Sequence, residues 1–425
     1  MSKPEASLII KNANEVVTMK EGSAYGDRNN SDLGILPNGS VAVNDDKIVW
    51  VGNTEDIPSC VTRARGCEII DAADSFVMPG FVDSHTHLLF SGSRENEFSM
   101  KVSGVPYVEI QRRGGGILRT VAETRRASDT DILGESVARM KKMLLHGTTT
   151  VEVKSGYGLD TNQEIRMLKL INELPKRIPM TVVPTFLGAH LLPVEFIGNK
   201  EDYVGLVVNE MIPQISRLKL ADFCDVFCDE TAFSVEDSRR ILARAREYKL
   251  GLKIHADEFQ GPDGAALAAE LEATSADHLV TSRLDSIRKM ASRGVVATIL
   301  PVTSFVTFLG NHADVRKMVQ IGCRISIASD ICPNSWCESM QLVIGLACVN
   351  SRVLPEEALR MATLNGAYAL GKESSVGSLE IGKQADILVM NTPTHAFIPY
   401  KFGANLVRIV IKNGKVVVRD GQLSN

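Results

Sequence analysis

Apolar positions along this chain fall into two textures. Near both ends they form short β-branched runs broken by Gly, Asn and Asp. At the start, Leu8-Ile9-Ile10, Ser40-Val41-Ala42-Val43, Ile48-Val49-Trp50-Val51-Gly52 and Ile69-Ile70-Asp71 read as strands. At the end, residues 385–390, 407–411 and 415–418 repeat that texture, and Asn413-Gly414 predicts a tight hairpin between the last two. Two β-rich ends around a different middle predict one small β domain built from residues 1–78 and 380–425. Residues 20–37, rich in Gly, Asn and Ser, read as a loop with no part in catalysis.

The middle alternates apolar runs with amphipathic stretches. Strands are expected at 81–86, 148–153, 181–187, 223–228, 251–256, 275–280, 295–300 and 324–329. Helices are expected between them, among others over Asp129 to Leu145, Asn162 to Leu174, Val235 to Tyr248 and Gly264 to Leu271. Eight βα units are what a (β/α)8 TIM barrel needs, so the fold class is α/β, with the barrel over residues 79–379. A doubly wound sheet is the alternative. It accounts less well for chemically active residues at so many different strand ends.

Composition narrows the function. The 425 residues are 44% hydrophobic, enough for a large core. A formal net charge of −4 offers no global attraction to nucleic acid or an anionic membrane. No apolar run approaches the roughly 18–20 residues that span a bilayer. Met1-Ser2-Lys3-Pro4-Glu5 lacks the basic start of a secretory signal, so a cytoplasmic protein is expected. The eight cysteines include no C-x-x-C pair and read as reduced thiols rather than a zinc ribbon or disulfide framework.

The candidate chemistry sits at predicted strand ends. His85 and His87 share a face if their strand is extended, because strand side chains alternate. Strand five ends in Ile254-His255-Ala256-Asp257-Glu258, strand six in Ala276-Asp277-His278 and strand eight in Ala328-Ser329-Asp330. In a closed barrel these ends converge. His85, His87, His255 and Asp330 then offer three nitrogens and one carboxylate, a set suited to zinc or iron. Any one of them alone is more often structural; four on the expected strands carry the reading. Strand four, ending Phe227-Cys228-Asp229-Glu230, has no lysine to form a bridging carbamate, which argues for one metal. Lys154 is the nearest substitute and is not expected to serve. His278, helped by Asp330, is positioned to take a proton from an attacking water. Glu258 is a general acid/base candidate at a substrate ring nitrogen, with a surface ion pair as its plainer alternative.

The blocks "PGFVDSHTHLLFSGSREN", "GGGILRTVAETR", "GTTTVEVKSGYGLD", "HADEF" and "GSLEIGKQADILV" resemble the amidohydrolase superfamily and, within it, the imidazolonepropionase family. The resemblance covers essentially the whole chain. It implies a TIM barrel with one divalent metal, Zn2+ or Fe2+/Fe3+, on His85, His87, His255 and Asp330, with His278 as the catalytic histidine. It implies that Arg94, Tyr107, Tyr157, His190 and Glu258 hold the substrate, with Asn334 and Ser335 in the loop after Asp330. It also implies a homodimer. Arg94 suits a propionate, which a guanidinium can grip with two parallel hydrogen bonds. The implied reaction is hydrolytic opening of 4-imidazolone-5-propanoate to N-formimino-L-glutamate in histidine degradation. A deaminase or deiminase of the same superfamily is the alternative, and a metal-free scaffold is a second. One departure stands out: Cys332 replaces an Asn common in the family, and Asn334 is the residue placed to compensate. A reactive-thiol role for Cys332 lacks an evident activating base. His146, His312 and His395 are left as structural or surface residues.

Overall fold

Residues 3–20, 32–105, 107–308 and 310–424 are described in the computed structural model. They divide into two compact units, residues 1–83, 141–150 and 339–425 in one, and 84–140 and 151–338 in the other.

Eight strands form one sheet: β1 (Phe81–Asp83), β2 (Thr148–Lys154), β3 (Thr181–Ala189), β4 (Phe223–Cys228), β5 (Gly251–Ala256), β6 (Ser275–His278), β7 (Val296–Ile299) and β8 (Ile325–Ile327). They neighbour one another in simple chain order, without the reversal that a doubly wound sheet requires. The pairings from β3 to β8 for which registers are defined are all parallel. The strands are buried almost throughout, as expected when both faces are covered, although β2, β5 and β6 carry polar and charged residues among their apolar ones. All eight predicted strands are present, with ends shifted by a few residues.

The first strand differs in a way that matters. It ends at Asp83, so His85 and His87 lie just beyond it rather than on it. Their backbone is taken up piecemeal: Asp330 N–H donates to His85 O (3.1 Å), and His87 N–H donates to Ile331 O (3.0 Å). Lys154 N–H donates to Thr86 O on the other side (3.0 Å). Single bonds to the segment after β8 and to the end of β2 replace a regular ladder, and they bring residues 85–87 beside the segment after β8.

The helices are set by local chemistry. Thr161–Glu173 is capped by Asp160, which accepts from Gln163 N–H. Val235–Glu247 opens with a capping box between Ser234 and Asp237.

The second sheet has nine strands from both chain ends. Glu5–Val17 pairs antiparallel with Ile35–Asn44 and parallel with Thr62–Asp71 and Phe76–Pro79. Phe76–Pro79 then pairs with Ile387–Met390, which continues through Val407–Lys412 to Lys415–Arg419. Apolar side chains from both ends, including Ile10, Val41, Val77, Ile387 and Ile409, form its core. Asn413 and Gly414 both have positive φ (51° and 73°), the conformation a two-residue hairpin turn needs. A Cβ on Gly414 would also sit on the carbonyl oxygen of Asp45. Residues 35–37, expected in a loop, begin a strand; residues 21–31 of that predicted loop lie outside the described residues.

Candidate metal centre and active site

The ends of β5, β6 and β8 carry side chains inward, and several do so on strained backbone. Asp257, His278, Leu279 and Asp330 all have φ between 51° and 74°. Left-handed backbone is uncommon for residues other than Gly and clusters at functional sites. Hydrogen bonds hold these turns: Asp257 accepts from Gly264 N–H (2.8 Å) and Ser282 Oγ (2.6 Å), and Leu279 N–H donates to Ala256 O (3.0 Å).

Four predicted metal ligands meet here. His87 Nε2 lies 3.2 Å from His255 Nε2, and Asp330 Oδ1 lies 3.6 Å from both His85 Nε2 and His87 Nε2. Ligands about 2.0–2.2 Å from one tetrahedral ion are spaced roughly 3.3–3.6 Å apart. The other ring nitrogens are engaged from behind: His85 Nδ1 with Asp277 Oδ2 at 2.6 Å, and His255 Nδ1 with Asp225 Oδ2 at 2.9 Å. A carboxylate thus sits behind each ring, hydrogen-bonded to His85 and in ion-pair contact with His255, with Nε2 on the side of the centre. His85 Nε2 is buried with no hydrogen-bond partner among the described residues. An orphaned acceptor facing two more imidazoles and a carboxylate is the donor set of a cation, so the residues fit a divalent metal. His85, His87 and Asp330 form one such group, and His85, His255 and His278 an overlapping one.

Electrostatics agree. Burial pushes the His85, His87 and His278 imidazoles well below their ordinary pKa, leaving them neutral, as ligands and bases must be. His190 falls to about 3 for the same reason. Asp330 rises to about 6, chiefly through burial, while Thr303 Oγ1 donates to its second oxygen (2.5 Å). Glu258 is pushed well above the usual carboxylate range, first by burial and then by Asp330 and Asp229; its Oε2 lies 3.6 Å from His278 Nε2.

A cavity of about 320 Å³ opens over this cluster, lined by His87, Arg94, Tyr157, His190, Glu258, His278, Asp330, Cys332 and Asn334 among others. That is the lower end of the range for small-molecule sites. The amidohydrolase family matches residues 76–417. The chain is 45% identical over 418 residues to an imidazolonepropionase of Symbiobacterium thermophilum, covering 98% of each chain. It is 43% identical over 420 residues to an imidazolonepropionase of Geobacillus kaustophilus, covering 98% of this chain and 99% of the other. This chain belongs to the amidohydrolase family and, within it, to the imidazolonepropionases. Its fold resembles the crystal structure of an adenosine deaminase from Xanthomonas campestris with bound zinc, at a TM-score of 0.75 and 19% identity over 100% of this chain and 95% of the other.

Within this amidohydrolase barrel the remaining predicted residues are placed unevenly. Arg94 precedes the helix Glu95–Val102, buried, with Nη1 3.9 Å from Glu97 Oε2. Glu97 Oε1 in turn accepts from Gly116 N–H (2.9 Å), tying the Gly114-Gly115-Gly116 loop to it. Tyr157 is buried beside His190, whose ring stacks on His87 at 4.8 Å. Asn334 lines the cavity, and its Oδ1 accepts from Lys101 Nζ (3.1 Å), leaving its amide NH2 as a donor. Ser335 is fully buried and not among the lining residues. Tyr107 begins a helix, Tyr107–Arg112, but its side chain lies outside the described residues. Cys332 lines the cavity with its thiol pushed up to about 12, chiefly by burial. All eight cysteines are free. His146, His312 and His395 do not line the cavity; His395 contacts Glu15 at 2.8 Å.

Sequence reasoning missed the charged layer beneath the imidazoles: Glu152, Lys154, Asp225, Lys253 and Asp277, all fully buried. A signal was available. Glu152 and Lys154 alternate with Val151 and Val153, and Lys253 and His255 with Leu252 and Ile254, so the charges share one face of otherwise apolar strands. Glu164 was missed too. It accepts backbone N–H bonds from Gly156, Gly158 and Leu159 and so holds the turn that carries Tyr157. A Cβ on Gly158 would lie 2.6 Å from the Glu164 backbone nitrogen.

Proposed function

We propose that this chain opens the ring of 4-imidazolone-5-propanoate hydrolytically, giving N-formimino-L-glutamate in histidine degradation. The observation that carries the reading is the convergence of three imidazoles and a carboxylate with Arg94, Tyr157, His190 and Glu258 on one cavity. The imidazolonepropionases that share more than two-fifths of its residues over nearly full length support the substrate.

His85, His87, His255 and Asp330 would hold one divalent ion, zinc or iron, since histidine and carboxylate suit both. When bound, such an ion supplies Lewis acidity that activates a water and polarises a carbonyl. The chain's own groups do the rest. Arg94 pairs the propionate, and Tyr157, His190 and Tyr107 flank the ring. His278 orients the attacking water and, with Asp330, accepts its proton. Glu258, whose pKa burial raises, hydrogen-bonds a ring nitrogen, selects the reactive tautomer and gives up its proton to the departing nitrogen as the carbon–nitrogen bond breaks. Asn334 completes the loop side of the pocket, its amide taking over from the residue that Cys332 replaces, while Ser335, buried behind the cavity lining, supports that loop.

The functional partition proposed is residues 79–379 as the catalytic barrel, with 1–78 and 380–425 as the composite β domain. A cytoplasmic homodimer is the proposed working form, supported by the family resemblance; sedimentation of the purified protein tests the dimer. No helix among the described residues is long and apolar enough to cross a membrane.

The test couples the purified protein to urocanase, which generates the unstable imidazolone in place. Loss of the imidazolone absorbance with formiminoglutamate formed, no ammonia and sensitivity to chelator is the expected result. Ammonia release would replace this reading with a deaminase. Turnover that survives complete metal removal would refute the metal assignment.

A further inference from the structure

Lys154 is the last residue of β2 and is fully buried. Its Nζ lies 2.7 Å from Asp225 Oδ2, 2.9 Å from Glu152 Oε2 and 3.8 Å from Asp277 Oδ2. The same two aspartate oxygens meet the imidazoles: Asp225 Oδ2 is 2.9 Å from His255 Nδ1, and Asp277 Oδ2 is 2.6 Å from His85 Nδ1. One ammonium therefore reaches two imidazoles on different strands, each through a single carboxylate oxygen.

We infer that Lys154 is a positioning residue: by joining Asp225 to Asp277 it fixes the His255 and His85 rings with their Nε2 lone pairs converging on the metal position. This rests on the ligand set proposed above.

The surroundings leave the carboxylates little freedom. Asp225 Oδ1 accepts from the backbone N–H groups of Val226 (2.7 Å) and His255 (3.2 Å). Asp277 Oδ1 accepts from Ser275 Oγ (2.7 Å). Glu152 Oε1 accepts from Thr185 Oγ1 (2.6 Å) and lies 3.4 Å from Lys253 Nζ. Lys253 donates to the carbonyl of Ser84, one residue before His85 (3.0 Å). Two ammoniums face three carboxylates with no exposure to water. Both oxygens of each aspartate are thus engaged, Oδ1 by backbone or serine and Oδ2 by the lysine and histidine. Burial opposes the Lys154 charge, yet Asp225, Glu152 and Asp277 together raise its pKa above the ordinary lysine value. Its Nζ is enclosed by three carboxylates behind the imidazoles, so this lysine acts from there and not as a ligand.

A plainer role would be neutralising buried acid, for which any balanced arrangement suffices. Two variants of the full-length protein separate the two roles, read by zinc affinity in chelator competition and by the absorption bands of the cobalt(II)-loaded form. Lys154→Met should lower zinc affinity about 10- to 100-fold, the usual effect of losing an outer partner of a metal-bound histidine. It should also change the cobalt bands, because the rings are no longer held. That variant leaves three carboxylates facing one ammonium, so Glu152→Gln/Lys154→Met is made beside it to restore the balance. The double variant should unfold thermally near the wild type yet keep the weakened zinc affinity and altered cobalt bands. Wild-type affinity and bands in the folded double variant would overturn the inference, leaving Lys154 a counter-charge only. A double variant that cannot fold would overturn it as well, since the network would then serve the fold and not the ligands. Failure of the ligand set itself reads differently: His85→Ala and His255→Ala would each retain wild-type zinc affinity.

Discussion

Replacing Glu164 with alanine should destabilise the protein and loosen its substrate pocket together. The fully buried carboxylate accepts from Gly158 N–H (2.8 Å) and Leu159 N–H (2.9 Å) through Oε1, and from Gly156 N–H through both oxygens (3.2 Å to Oε1, 3.1 Å to Oε2). A hydrogen bond to a charged group contributes about 1.5–3 kcal/mol, so three lost at once set an upper bound of roughly 4.5–9 kcal/mol. Two effects offset part of that. Burial pushes the Glu164 carboxyl pKa above its ordinary value, so the wild type already carries a cost for the buried charge, and water can enter the space left by the side chain. The expected net loss is about 3–4 kcal/mol, in the range of a broken buried network. Gly156 O also accepts from His190 Nδ1 (3.0 Å), so a loosened turn should raise KM through Tyr157 and His190. Glu164→Gln keeps Oε1 as acceptor for Gly158, Leu159 and the longer Gly156 bond (3.2 Å) and loses only the Oε2 bond, so its cost should be about 1–2 kcal/mol. The assay is urea unfolding followed by far-ultraviolet circular dichroism, with KM measured alongside. The pH dependence has a definite sign. A carboxyl with a raised folded-state pKa binds its proton more tightly when folded, so stability falls as pH rises from the unfolded to the folded pKa. Glu164→Gln lacks that fall, so the stability gap between wild type and the Gln variant should narrow as pH rises above the ordinary glutamate pKa of about 4.3. An Ala variant within about 1 kcal/mol of wild type, with unchanged KM, would refute the reasoning.

Three further outcomes follow from the proposed site. Glu258→Gln should keep stoichiometric metal and lose about 10²- to 10⁴-fold in kcat, the range for an acid/base group, and full activity would remove that role. Arg94→Gln should reduce kcat/KM about 10- to 100-fold, from the ~1.5–3 kcal/mol of a hydrogen bond to a charged group, with metal content unchanged. An equal loss on a substrate analogue without the carboxylate would contradict the propionate contact. Cys332 should resist iodoacetamide at pH 8 in the folded protein, because its pKa of about 12 leaves almost no thiolate. Rapid labelling there, mapped by peptide mass, would restore a reactive-thiol role.

What the sequence determined by itself is mostly local. The eight strand positions followed from short apolar runs, and their sheet was recovered because a parallel strand buried on both faces has a distinctive composition. Asn413-Gly414 specified its own turn, since both residues tolerate positive φ. The grouping of imidazoles and a carboxylate was legible because its members stand at or just beyond strand ends, which strands neighbouring in chain order gather together. Beyond that reach, tertiary structure decided. The first strand stops at Asp83 because residues 85–87 bond to the segment after β8 and to the end of β2, partners invisible to any local pattern. The loop read into residues 35–37 is strand because Glu5–Val17 lies beside it to pair with. Lys154 offered the sequence only a choice between ligand and bystander; its place behind two imidazoles depends on Asp225 and Asp277, which come from strands 71 and 123 residues further along. Periodicity reports which face a side chain takes on its own element. Which atoms lie within 3 Å of it is settled by closure, and at this site closure decides the chemistry.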